Sequence, residues 1–173
     1  MSKKLYALLI GINDYPDDVG NLNGCINDVN HMQDYLHDHF KSALQIESLI
    51  NSDATRDNII KLSREHLGKA GENDAVLFYY SGHGSREMSA PGFKEFYPDG
   101  LDETIVCCDS RLPNGFDLAD KELAALLAEI AQNNPHIAVI LDCCHSGSGT
   151  RAVDDFNLAA VKQAPPWDPD TPR

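Results

Sequence analysis

The chain has 173 residues, enough for one α/β domain and too few for two of ordinary size. Fourteen Lys and Arg against 27 Asp and Glu give a net charge of −13, which repels phosphate backbones and points away from nucleic acid as the main partner. No run approaches the ~18 apolar residues of a spanning helix. Asn13 and Asp14 also stand where a signal peptide would carry its small-residue cleavage site, so a soluble cytoplasmic protein with no membrane partner is expected.

Residues 4–12 form a continuous apolar run, as expected for a strand covered on both faces. A polar loop follows to Asn23, in which Asp14, Asp17 and Asp18 read as turn formers. Ile26, Val29, Met32, Tyr35 and Leu36 then recur at helical spacing, predicting an amphipathic helix over 25–40. Residues 46–52 read as a second strand. Asp53 or Thr55 can cap a helix through Lys69 that buries Ile59, Ile60, Leu62 and Leu67. A third strand over 74–84 ends in a glycine-flanked histidine, and 85–103 reads as loop. Residues 104–109 suggest a short strand or half a hairpin. A helix from Asp117 or Asp120 to about Gln132 leads to a fourth buried strand over 136–144. This alternation predicts an α/β fold: a mostly parallel sheet of about four main strands with helices on both faces. The segment from Gln163 holds four of the nine prolines and reads as an extended or flexible tail.

In such sheets, reactive groups gather at the carboxyl ends of the strands. The third strand ends in Ser81-Gly82-His83-Gly84 and the fourth in Asp142-Cys143-Cys144-His145-Ser146-Gly147. An imidazole and a thiol on neighbouring strand ends can form a Cys/His dyad, in which the histidine takes the thiol proton and the thiolate attacks a carbonyl. Flanking glycines let a peptide backbone approach and leave N–H groups free for an oxyanion. By strand alternation Asp142 and Cys144 point to one side and Cys143 to the other. If Cys144 is the nucleophile, Asp142 stands beside it and can hold a cationic side chain, while Cys143 packs. The five cysteines include two adjacent pairs and no C-x-x-C, which is neither a disulfide framework nor zinc spacing. A soft-metal site from Cys143, Cys144, His145 and His83 is disfavoured, because adjacent cysteines make poor tetrahedral ligands. His31, His37, His39 and His66 fall on helices, where solvated or hydrogen-bonded positions are the ordinary outcome.

The stretches Y-S-G-H-G (80–84), D-C-C-H-S-G (142–147) and N-G-C-I-N-D (23–28) together resemble the caspase-like fold, and metacaspases in particular, over most of the chain. The resemblance implies a three-layer fold, with residues 1–162 as the catalytic large subunit and 163–173 as a proline-rich linker. It implies a cysteine endopeptidase in which His83 and Cys144 are catalytic and the N–H groups of Gly84 and Cys144 bind the oxyanion. Asp28 and Asp142 match the two acids of the family's pocket for Arg or Lys before the cut, and Cys25 matches an accessory cysteine beside it. The chemistry requires no cofactor, but the resemblance makes calcium a candidate activator. Asp99, Asp102 and Glu103 lie in the matching acidic segment, while a further ligand position falls near Arg151, which departs from the family's acid, with Asp154 and Asp155 as candidate substitutes. Expected partners are a protein or peptide substrate with Arg or Lys at the cut and a small subunit of the same precursor. Activation by proteolytic processing is expected too, and Arg173 is a residue after which such an enzyme could cut itself. The N-G-C-I-N-D match argues against legumain-like or gingipain-like relatives. The alternative from another class is a catalytically silent caspase-like module that binds and regulates an active protease.

Overall fold

The computed structural model describes residues 3–89, 100–113, 115–143, 162 and 164. Four parallel strands form the main sheet: β1 (Leu5–Gly11), β2 (Leu44–Ile50), β3 (Ala75–Ser81) and, after a second, smaller sheet, β7 (His136–Asp142), in the order β2-β1-β3-β7. The apolar runs of β1 and β3 occupy its two central positions. Their alternate side chains feed two cores, as strand geometry requires. On one face Leu5, Ala7, Leu9, Leu77 and Tyr79 pack with Val29 and Leu36 of α1 (Cys25–Phe40). On the other, Leu8, Ile10, Val76, Phe78 and Tyr80 pack with Ile59 of α2 (Arg56–Glu65) and with Leu123 and Ile130 of α3 (Asp120–Ala131). The result is the three-layer α/β architecture expected, with four strands in the main sheet.

Local signals agree closely with several element ends. Thr55 caps α2 by accepting the N–H of Asn58 at 3.2 Å. That helix stops at Glu65, and a single 3-10 turn over Leu67–Lys69 replaces its expected last turn. His66, at this junction, is buried with Nε2 3.1 Å from the Ala7 carbonyl and 3.2 Å from that of Gln45, so it is a hydrogen-bonded structural histidine. Tyr35 was expected on the buried stripe of α1, yet it is exposed and stacks on His39 with ring centroids 4.0 Å apart.

The larger difference falls in 85–103, expected as loop. Here β4 (Gly84–Met88) pairs antiparallel with β5 (Leu101–Ile105), which pairs with β6 (Leu118–Ala119). Residues 104–109 therefore begin as half of a hairpin. The missed strand β4 alternates in burial, not in polarity: its inward residues are Ser85 and Glu87. A hydrophobicity pattern has nothing to detect when polar side chains occupy the inner positions. Their surroundings are correspondingly polar. Arg111 contacts Ser85 Oγ at 3.0 Å and pairs with buried Asp117 at 2.9 Å, while Asp117 also accepts from Thr104.

Among the described residues β7 pairs only with β3, and Val139, Ile140 and Leu141 are exposed. The two strands therefore differ sharply in what a truncation removes. Phe78→Ala should cost ~3–5 kcal/mol and Val139→Ala within ~0.5 kcal/mol, both read from urea unfolding midpoints.

Candidate active site

The register of the sheet builds the site. Ser81, the last residue of β3, lies opposite Gly11 of β1 on one side and Asp142 of β7 on the other. Asp28 reaches the same point from the first turn of α1 and accepts a hydrogen bond from Ser81 Oγ at 2.9 Å. Asp28 and Asp142 therefore converge as the sequence expected. A cation of the chain itself stands between them: Lys162 Nζ is 2.8 Å from Asp28 Oδ2, 2.5 Å from Asp142 Oδ2 and 2.7 Å from Ser81 Oγ. Three acceptors match the three N–H donors of an ammonium. Burial alone would raise the Asp28 carboxyl, but the bonds from Lys162 and Ser81 and the Lys162 charge outweigh it and hold the group below its ordinary value. The acid pair opens on a cavity of about 410 Å³ that is also lined by His31, Met32, Tyr35 and Tyr79. Cys25 lies buried at the start of α1, and burial pushes its thiol up.

His83 sits just past β3, on the opposite side of Gly82 from Ser81. Its ring is held by Nε2, 2.9 Å from the carbonyl of Gly20. A carbonyl only accepts, so Nε2 carries the proton and the neutral ring presents a lone pair on Nδ1. Nδ1 is buried and has no hydrogen-bond partner among the described residues. Burial lowers the affinity of the ring for a second proton, and the Gly20 bond offsets only part of that effect. A neutral imidazole with one anchored and one unengaged nitrogen is what a general base requires.

The anchoring extends to the backbone. The His83 N–H donates to the Tyr15 hydroxyl at 3.0 Å, and Tyr15 Oη lies 3.3 Å from Tyr80 Oη. The Tyr80 hydroxyl in turn reaches the carbonyls of His83 and Val106 at 2.7 and 2.8 Å. The Tyr15 ring also packs on the imidazole, with centroids 4.8 Å apart. Gly82 has to be glycine here, because a Cβ would lie 2.5 Å from both tyrosine hydroxyl oxygens. Gly20 adopts φ +84°, a left-handed conformation that favours glycine, and so turns its carbonyl to the ring. The sequence signalled neither tyrosine nor the Gly20 carbonyl. A backbone oxygen is identical in every residue, so the sequence carries no mark of it.

Gly84 donates its N–H to the carbonyl of Lys162 at 3.0 Å and accepts the N–H of Ala164 at 2.9 Å. Ala164, in the tail expected beyond 162, is buried against the core. Cys143 is half-buried and also packs on the core. Cys144, Asp99, Arg151, Asp154, Asp155 and Arg173 lie outside the described residues.

In the described part of the acidic stretch, Asp102 and Glu103 point to opposite sides of β5. Asp102 is buried on one side of β5, where it accepts from Ser89 and Lys121. Glu103 is exposed on the other side and faces Arg86 at 3.4 Å. Each of the two acids pairs with a cation of the chain, Asp102 with Lys121 and Glu103 with Arg86. No group of three or more His, Cys, Asp or Glu with metal-binding geometry occurs among the described residues. Burial pushes the thiols of Cys107 and Cys108 up, that of Cys108 to about 11.

These features define a caspase-like α/β domain with a buried histidine just past one strand end and two acids converging at the ends of β7 and α1. Residues 4–152 match the family description "Metacaspase, peptidase C14 domain". Metacaspase-1 of Botryotinia fuckeliana is 36% identical over 169 residues, which is 94% of this chain and 39% of that protein. Metacaspase-1A of Aspergillus oryzae is 36% identical over 149 residues, covering 82% and 34%. The crystal structure of protein GSU0716 from Geobacter sulfurreducens is 30% identical with a TM-score of 0.64, covering 84% of this chain and 52% of that one. The chain belongs to the metacaspase family of cysteine peptidases. It spans about two fifths of the length of the first of these relatives.

Two outcomes follow from this geometry. Tyr15→Phe leaves the buried His83 N–H without its acceptor and should cost ~1–3 kcal/mol in chemical denaturation, whereas a buried aromatic serving only as packing would tolerate the change. His83 also links stability to pH. Its folded value lies below the ordinary 6.5, so the unfolded chain binds the proton first. The stability it contributes is complete above pH 6.5 and is lost as pH falls through its folded value. Unfolding midpoints of the native protein should fall more steeply below pH 6.5 than those of His83→Gln.

Proposed function

We propose that this chain carries the catalytic dyad and the basic-residue pocket of a cysteine endopeptidase that hydrolyses peptide bonds after Arg or Lys. The observation that carries the specificity is the convergence of Asp28, Ser81 and Asp142 on one ammonium group. An aspartate side chain brought to the same point would meet two carboxylates, and like charges at such distances repel strongly.

In this reading Cys144 is the nucleophile and His83 the base. Nδ1 of His83 takes the thiol proton while Nε2 stays on the Gly20 carbonyl, which also steadies the imidazolium that forms. The thiolate adds to the carbonyl carbon of the residue held in the acidic pocket. The Gly84 N–H, which already binds a carbonyl oxygen at 3.0 Å, stabilises the oxyanion together with the N–H of Cys144. His83 then protonates the leaving amine, and the thioester is hydrolysed by a water that His83 deprotonates. A small subunit of the same precursor is part of the proposal, supported by the exposed apolar residues of β7, which suit pairing with a further strand.

The test is cleavage of fluorogenic peptides ending in Arg, Lys or Asp by the full-length protein, with calcium or with a chelator. Arg and Lys peptides should be cut and Asp peptides should not. Cys144→Ala should lower kcat by about four orders of magnitude or more. Asp28→Asn and Asp142→Asn should each reduce kcat/KM for Arg peptides by about 10- to 100-fold, the loss of one hydrogen bond between charged groups at ~1.5–3 kcal/mol. Cleavage only after Asp would refute the pocket assignment. Absence of cleavage throughout would favour the silent regulatory module, and loss of activity in the chelator arm alone would establish the calcium requirement.

A further inference from the structure

Two buried tyrosines beside His83 close a ring of hydrogen bonds through it. The Tyr80 hydroxyl lies 2.7 Å from the His83 carbonyl and 2.8 Å from that of Val106, and carbonyls only accept, so its proton is committed there. In its 3.3 Å contact with Tyr15, Tyr80 is therefore the acceptor and Tyr15 the donor. The Tyr15 oxygen in turn accepts the His83 N–H at 3.0 Å. The ring thus runs from the His83 N–H through Tyr15 and Tyr80 back to the His83 carbonyl. It ties together the two peptide units that flank the His83 Cα, which fixes the backbone from which the imidazole projects. The second unit also ends in the Gly84 N–H. Because that peptide is planar, holding the His83 carbonyl aims the Gly84 N–H. The Val106 N–H donates to the same carbonyl at 2.9 Å, and hydrogen bonds in series strengthen one another, so the Gly84 N–H becomes the better donor. A core that needed only two aromatic rings here would be served by phenylalanine, with no buried hydroxyls to satisfy.

We infer that Tyr15 and Tyr80 are positioning residues for the reaction: through one hydrogen-bonded ring their hydroxyls set the histidine base and the Gly84 oxyanion donor together. The inference rests on the function proposed above. It gives the tyrosines no contact with substrate, and neither of them lines the acidic cavity. Gly82 leaves the space the ring needs, since a Cβ there would lie 2.5 Å from both hydroxyl oxygens. Burial pushes both phenols up from their ordinary value, so each keeps the proton that it donates. The links act as a unit. Losing either hydroxyl opens the ring, and losing the second then adds little.

The experiment is steady-state cleavage of an Arg peptide by the full-length protein and by its Tyr15→Phe, Tyr80→Phe and doubly substituted forms. Competent sites are counted by active-site titration, at a temperature well below each unfolding midpoint. Each single variant should lose about 10- to 100-fold in kcat, as a displaced catalytic group does, with KM within about twofold of native. The double variant should lose no more than about threefold beyond the worse single one, whereas independent residues would multiply their losses. A peptide aldehyde ending in Arg, whose thiol adduct carries the oxyanion, should bind each variant more weakly by about the factor lost in kcat. Tyrosines that only pack would lower the unfolding midpoint but leave kcat per competent site and aldehyde affinity at native values. That result overturns the inference while the proposed function stands. Losses that multiply in the double variant also overturn it, because the hydroxyls would then not act as one ring. A native protein that cleaves no peptide overturns both readings. Should one tyrosine variant fail to fold, the other carries the kcat and aldehyde tests, since either substitution opens the ring.

Discussion

The in-register pairing of β1, β3 and β7 is the constraint on which the site depends. Because Gly11, Ser81 and Asp142 occupy one row across the sheet, the strands end level, and whatever follows each of them emerges at the same edge. A slip of one residue at β3 or β7 would turn Ser81 or Asp142 to the other face and dissolve the acid pair. The row also sets how closely α1 can approach. A Cβ at Gly11 would lie 2.7 Å from Val29 Cγ2, so only a glycine lets this helix settle near enough for Asp28 to meet Ser81.

The electrostatics of the row explain why an ammonium group sits in it. Two carboxylates brought together at a partly shielded edge repel unless a cation stands between them. Lys162 supplies that cation, and Ser81 supplies the neutral donor that bridges to Asp28. The chain's overall charge of −13 has little to do with this, since distant surface charges are screened within about a Debye length. Local convergence of two acids, and not the global excess, is what holds the Lys162 ammonium at this point.

The histidine is governed by a different economy, one of hydrogen bonds. Its backbone N–H, its ring Nε2 and the hydroxyls of Tyr15 and Tyr80 are all buried or partly buried and all satisfied in a connected chain. Connected polar groups at low dielectric hold one another in place. The single nitrogen left out, Nδ1, is the one that chemistry can use.

How much of this was legible in the sequence depends on whether side chains or backbone carry the signal. Continuous apolar runs in β1 and β3, helical spacing in α1 and α3, and the Thr55 cap all reflect local physics, and they placed the four-stranded layer, the helices and the strand-end histidine. Strand alternation singled out Asp142, and the motif match added Asp28, which chain position alone would have left as an N-terminal helix acid. What only the tertiary structure decided are contacts between segments far apart in sequence and blind to residue type. The Gly20 carbonyl beneath His83, the clasp of Gly84 on Lys162 and Ala164, and the polar-in strand β4 are of this kind. Hydrogen bonds to backbone atoms leave no trace in composition or periodicity, and a lysine in a proline-bordered segment reads as solvated until the fold brings two carboxylates to meet it. The amino-acid sequence by itself determined the layers and the reactive side chains; the register and the loop crossings determined which of them touch.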